Sequence, residues 1–188
     1  NMEAGDVAWV LVSAALVLFM TPGLALFYGG MDRSRNVLNM LMMNFWCMLS
    51  IPVLWVIVGY SIAAGNFDAQ WFGGFDAAFL GNQNLAVDGG DASLLTIAFL
   101  GMFAVITPAL ITGATADRLK FGSYALFIAI WSIVVYAPAA RWVFNPAGWL
   151  FKRGALDFAG GTAIHINAGI AALAVVAVIG NRRGHGEE

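Results

Sequence analysis

The sequence predicts an all-α protein, a polytopic membrane helix bundle, and three observations carry that prediction. Apolar residues make up 61% of the 188 residues, charged residues only 11%, and the mean hydropathy is +0.80. A soluble domain averages about 45–50% apolar and about 25% charged residues. The apolar residues also gather into runs near 7–31, 37–64, 93–116, 121–140 and 158–180, each long enough to cross a hydrocarbon core of about 30 Å as a helix. Runs of this length are poor strands, because a lipid-spanning strand needs only about 9–11 residues and alternates in polarity.

Taken in order, the first run contains Thr21-Pro22-Gly23 and is followed by Arg33 and Arg35. A membrane helix tolerates such a proline when a neighbour or a hydroxyl satisfies the freed carbonyl. The second run holds Cys47, the single cysteine of the chain, which reads as a small buried hydrophobe. The break from Gly65 to Ala92 contains Asp68, Asp76, Asp88 and Asp91 and no Lys or Arg. It is too long for a simple turn, and Phe67, Trp71, Phe72, Phe75 and Phe79 favour a packed cap that touches the membrane interface. The third run carries Phe99 and Phe103 four residues apart on one helical face, then Thr107-Pro108. Beyond the fourth run lie Trp142, Phe144 and Trp149. Asp157 precedes the fifth run, and His165 lies inside it.

Orientation follows from the basic residues. Arg33, Arg35, Arg118, Lys120, Arg182 and Arg183 follow the first, third and fifth runs, whereas Arg141, Lys152 and Arg153 lie on the opposite side. The larger group is expected in the cytoplasm, which puts the N-terminus outside a cell membrane. No basic patch points to nucleic acid, and the first residues do not resemble an intact signal peptide.

Each candidate site residue has a structural and a functional reading. An ionisable residue at the depth of His165 is by default a candidate for a pathway or proton relay. Thr162, Gly169 and Ala172 share its face, small residues that also suit a neutral ring bonding between helices. Asp157 is placed to cap the free N–H groups of the fifth helix, with a cation trap as the other reading. Phe99 and Phe103 read as packing residues from composition alone. The aromatic cluster reads as an interface belt or, with a cation present, as a cation–π cage. No cofactor or metal is called for.

The residues resemble a known family. Leu18-Phe-Met-Thr-Pro-Gly-Leu-Ala-Leu-Phe-Tyr-Gly-Gly30 with Arg33-Ser-Arg-Asn-Val37 looks like the first helix of the Amt/Mep/Rh ammonium transporters, closest to the Amt branch. Asp157-Phe-Ala-Gly-Gly-Thr-x-x-His165-x-Asn167 resembles the fifth-helix signature of that family, and Gly113-Ala-Thr-Ala-Asp-Arg118 the end of its third helix. The resemblance implies an eleven-helix fold in which helices one to five and six to ten form inverted repeats around a pore, and a homotrimer. This chain then holds one repeat, residues 1–188 forming the N-terminal part of the transporter domain, and is expected to be a fragment or a half that associates with another half.

By position, the resemblance makes His165 the first of two pore histidines, Phe103 the inner ring of a phenylalanine gate and Phe99 its outer neighbour. It makes Asp157 a largely structural carboxylate of the outer vestibule. The external recruitment site uses a tryptophan where this chain has Phe144 and a histidine where it has Arg141. Phe144 is thus expected to receive ammonium less well, with Trp142 or Trp149 as a substitute, and Arg141 to repel it. The implied activity is capture of ammonium, loss of its proton and conduction of ammonia, with a cytoplasmic PII-type regulator as a partner. An ammonium sensor domain is the alternative. An enzyme is not expected, because His185 and Cys47 do not assemble a nucleophile or metal cluster with His165.

Overall fold

A computed structural model describes residues 3–66, 69–83, 85 and 94–182. Among the described residues, five helices are long and apolar enough to cross a membrane: α1 (Ala4–Met31), α2 (Val37–Ala64), α3 (Leu94–Thr115), α4 (Phe121–Phe144) and α5 (Gly161–Ile179). The all-α expectation holds for the described residues, and with it a multi-pass membrane protein.

Several boundaries differ from the hydropathy reading. Helix α1 starts at Ala4 rather than Val7, with Asp6 in its first turn, where a carboxylate meets the positive helix end. Helix α4 continues past Ala140 through Arg141 to Phe144. Hydropathy ends the run at the charge, but Arg141 is buried and bonded inside the protein, so the helix does not stop there. Helix α5 starts at Gly161 rather than Phe158. Gly160 has a φ of 82°, a conformation glycine reaches without a Cβ penalty, and the helix begins only beyond it. Ser93, the expected start of the third run, lies outside the described residues.

Helix α3 is the post of the bundle: α1, α2 and α5 all pack along it, and α2 packs on α4. Small and polar residues make these approaches possible. Asn44 of α2 donates to the Thr112 hydroxyl of α3 at 3.1 Å, and Thr112 donates to the Ala109 carbonyl at 2.6 Å. The buried Asn44 amide and Thr112 hydroxyl are thereby paired, as a low-dielectric interior demands. Cys47 is buried beside the Tyr124 hydroxyl at 3.1 Å, and Tyr124 donates to the Pro108 carbonyl at 3.0 Å. Neighbouring hydroxyls also serve the proline-bearing segment, where Thr107 donates to the Phe103 carbonyl at 2.6 Å.

Three helices carry a π turn, at Trp55–Gly59 in α2, Ser132–Tyr136 in α4 and Gly161–Ile166 in α5. Such turns hold one residue more than an α-helical turn and recur at functional sites. Where α1, α3 and α5 finish, Asp117 accepts from the Asn36 amide and pairs with Arg33 at 3.3 Å. Arg118 donates to the carbonyls of Gly180 and Ala114, both at 2.7 Å, and so ties the ends of α3 and α5 together.

The segment after α2 is a packed cap in its described part. Ser61 donates to the Gly74 carbonyl at 2.8 Å and accepts from the Ala77 N–H at 3.0 Å. Asp76 accepts from the Asn66 N–H at 3.0 Å. Trp71, Phe72, Phe75 and Phe79 remain exposed. Phe67, Asp68, Asp88 and Asp91, like Arg183 and His185 at the other end, lie outside the described residues.

Candidate functional site

A cleft of about 470 Å³ opens between the end of α2, the start of α3 and the end of α4. Its wall is mostly apolar, with Trp55, Phe99, Tyr136 and Phe144 among the lining residues. Phe99 and Phe103, one turn apart on α3, meet edge to face with ring centroids 4.8 Å apart. Phe103 in turn stacks on Phe144 of α4, centroids 6.3 Å apart and planes 23° from parallel. Such ring pairs are worth about 0.5–1.5 kcal/mol each beyond the area they bury. Phe99, Phe103 and Phe144 therefore form one continuous aromatic stack joining α3 to α4.

Trp142 is placed elsewhere. It is not among the residues that line the cleft; its indole N–H donates to the Trp71 carbonyl at 2.7 Å, and its ring sits edge-on to Trp71 at 5.9 Å. Trp149 joins that group at 5.3 Å from Trp71, and the Arg153 guanidinium lies over the Trp149 ring at 4.9 Å. Phe144 stands two positions after Trp142, which turns their side chains about 200° apart on a helix. Of the two aromatics expected to meet a cation, only Phe144 looks into the cleft.

Arg141 also departs from expectation. It is 1% exposed and does not line the cleft. Its Nε donates to the Ala69 carbonyl at 2.9 Å and its Nη1 to the Gly65 carbonyl at 3.0 Å. The guanidinium thus fastens the cap to the last turn of α4, where multiple fixed donors suit arginine better than lysine. At Gly73 an added Cβ would lie 2.3 Å from the Ser61 carbonyl oxygen and 3.1 Å from Arg141 Nη1, so the cap approaches too closely for any side chain there.

Asp157 accepts from the N–H groups of Gly161, Thr162 and Ala163 at 2.7, 2.9 and 3.0 Å. One carboxylate thereby satisfies three of the donors that a helix start leaves unpaired. Partial burial pushes its pKa up, but the backbone N–H groups of Ala163, Thr162, Gly161 and Gly160 together outweigh that and hold it below the ordinary value. His165 follows within the π turn of α5. Ala163, Ile164 and Ala168 are buried, whereas His165, Gly169 and Ile170 are exposed on the face turned away from the bundle. Among the described residues, no group of three or more His, Cys, Asp or Glu is placed to hold a metal ion.

Trp55, Tyr60 and Tyr136 also line the cleft, and sequence reasoning passed over them. A signal was available. Trp55 and Tyr60, and likewise Trp131 and Tyr136, stand five residues apart, the spacing of a π turn. Both pairs are in ring contact, at 5.7 and 6.5 Å.

Residues 8–188 match a family described as the Ammonium Transporter Family. A Mycobacterium tuberculosis protein named ammonium transporter is 50% identical over 209 residues, a match covering 97% of this chain and 44% of that protein. The crystal structure of Candida albicans Mep2 superposes with a TM-score of 0.87 at 31% identity, covering 96% of this chain and 40% of Mep2. A structure named Sensor Amt Protein superposes with a TM-score of 0.86 at 26% identity, covering 94% of this chain and 44% of that one. The chain spans somewhat under half the length of these relatives, which are named as ammonium transporters. It belongs to the Amt/Mep ammonium transporter family and corresponds to the N-terminal half of its members.

Proposed function

We propose that this chain supplies one wall of an ammonium-conducting pore, in which Phe144 receives the cation, Phe103 and Phe99 gate the passage, and His165 lines the channel beyond. The observation that carries the reading is the stack of Phe99, Phe103 and Phe144 beside a largely apolar cleft. An isolated cation entering such surroundings loses tens of kcal/mol of Born solvation, and a cation–π contact returns only about 0.5–2 kcal/mol. Releasing a proton from an amine with a lysine-like pKa of about 10.4 costs on the order of 4–5 kcal/mol at pH 7. Capture, deprotonation and passage of neutral ammonia is therefore the least costly route, with the released proton crossing separately so that transport carries charge. Potassium has no proton to give up and is excluded by the same arithmetic.

In this reading Asp157 is structural, the N-terminus lies outside the cell membrane, and the exposed face of α5 that carries His165 meets a second repeat. Three copies assemble, and a PII-type regulator meets the cytoplasmic ends of α1, α3 and α5. The likeness to the structure named Sensor Amt Protein favours one second reading, in which the same elements report ammonium to a signalling module.

The deciding measurement is ammonium-dependent charge translocation into liposomes holding the intact protein, with potassium as reference. A selective signal that His165→Ala abolishes supports conduction. Saturable ammonium binding without any flux favours the sensor, and a potassium signal equal to that of ammonium overturns both.

A further inference from the structure

Trp55 belongs to the π turn of α2 and is 5% exposed. Its indole fills the notch that Gly101 leaves on α3. A Cβ at Gly101 would lie 3.0 Å from Trp55 Cδ1 and 3.2 Å from Nε1. The same Nε1 donates to the Ile97 carbonyl at 3.1 Å. These two attachments straddle Phe99 and stop just short of Phe103. On its other sides the indole meets Tyr60 edge-on at 5.7 Å and Tyr136 at 6.3 Å and borders the cleft.

We propose that Trp55 is a positioning residue for the aromatic gate: seated on Gly101 and bonded to Ile97, it sets the rotation and height of the α3 turn that presents Phe99 and Phe103 to Phe144. This rests on the reading of those phenylalanines as a gate. One hydrogen bond to a carbonyl resists sliding of α3 along its axis, and one ring in a glycine notch resists its rotation. A helix turns about 100° and rises 1.5 Å per residue, so small displacements at Gly101 carry directly to the rings on either side. Trp55 itself reaches neither Phe99 nor Phe103 in ring contact; its influence passes through the backbone of α3.

Two substitutions separate this role from simple packing. Trp55→Phe keeps an aromatic ring and removes the indole N–H. Gly101→Ala keeps the indole and presses on it, so that the ring must give by a few tenths of an ångström. Initial rates of ammonium and methylammonium uptake are measured for the intact protein in liposomes, for each variant and the double variant, alongside thermal unfolding in detergent. Each single variant is expected to shift the ammonium-to-methylammonium rate ratio by about threefold or more, and the double variant by less than the product, because the smaller ring reopens the notch. Should Trp55→Phe fail to insert, Gly101→Ala and Gly101→Ser decide by the same ratio. An unchanged ratio in folded variants, or shifts that simply multiply, overturns the positioning role while leaving ammonium conduction intact. Absence of ammonium flux in the unsubstituted protein overturns the gate reading on which it rests.

Discussion

Helices α3 and α5 lie side by side, yet they meet different surroundings. Within the most apolar stretch of each, 56% of α3 is buried and only 17% of α5. Aromatic rings occupy the notches of α3: Trp55 lies against Gly101, and Tyr28 against Gly113, where a Cβ would sit 3.0 Å from Tyr28 Cζ. Trp55, Tyr28 and Tyr124 donate to the carbonyls of Ile97, Leu110 and Pro108. Gly169 of α5 has nothing within 4 Å of an added Cβ, and Ile170, Leu173 and Val178 are exposed. The helix with the phenylalanines is thus held from three sides by residues of this chain. The helix with the histidine is held by α3 along one side and, at its start, by Asp157 and the end of α4.

That contrast can be broken at its strongest point first. Gly113→Ala is expected to destabilise the protein by about 1–3 kcal/mol, the usual cost of overpacking, read as a lower unfolding midpoint in detergent. A smaller effect is expected at the start of α5. Asp157→Ala removes the acceptor for three N–H groups and costs about 1 kcal/mol, with faster hydrogen exchange at Thr162 and Ala163 while exchange in α3 stays unchanged. If exchange in α3 rises equally, the two helices are not independent.

Acid provides the same test without mutation. The folded-state pKa of Asp157 is below its ordinary value of 3.8, so the cap contributes fully above that value and is lost as the pH falls through the lower, folded one. Exchange at the start of α5 should therefore quicken only below about pH 4, and Asp157→Asn should remove that step. The smallest effect belongs to Gly169→Ala, which should change stability by less than about 0.5 kcal/mol. A loss as large as that at Gly113 would show that α5 is as tightly enclosed as α3.

Much of the architecture was legible because lipid imposes a length and a polarity on every span. The five crossings follow from that alone, and the capping role of Asp157 follows from its place just ahead of a helix. The aromatic wall was less legible. Phe144 and Trp142 have similar chemistry, and only the direction of the last turn of α4 decides which of them faces the cleft. That direction depends on the π turn at Ser132–Tyr136, which hydropathy does not register. Arg141 was misread for a related reason. A cation after an apolar run suggests a membrane boundary, but here its partners are carbonyls at Gly65 and Ala69, far away in sequence.

The attachment of Arg141 also bears on how the chain is assembled in the membrane. Helix α4 has the lowest hydropathy of the five spans, 1.7, and its trailing end carries a charge whose carbonyl acceptors belong to the segment after α2. The last turn of α4 can make these bonds only once the segment holding Gly65 and Ala69 is in place beside it. Synthesis from the N-terminus delivers the acceptors first. The guanidinium therefore makes the end of α4 depend on a segment made well before it.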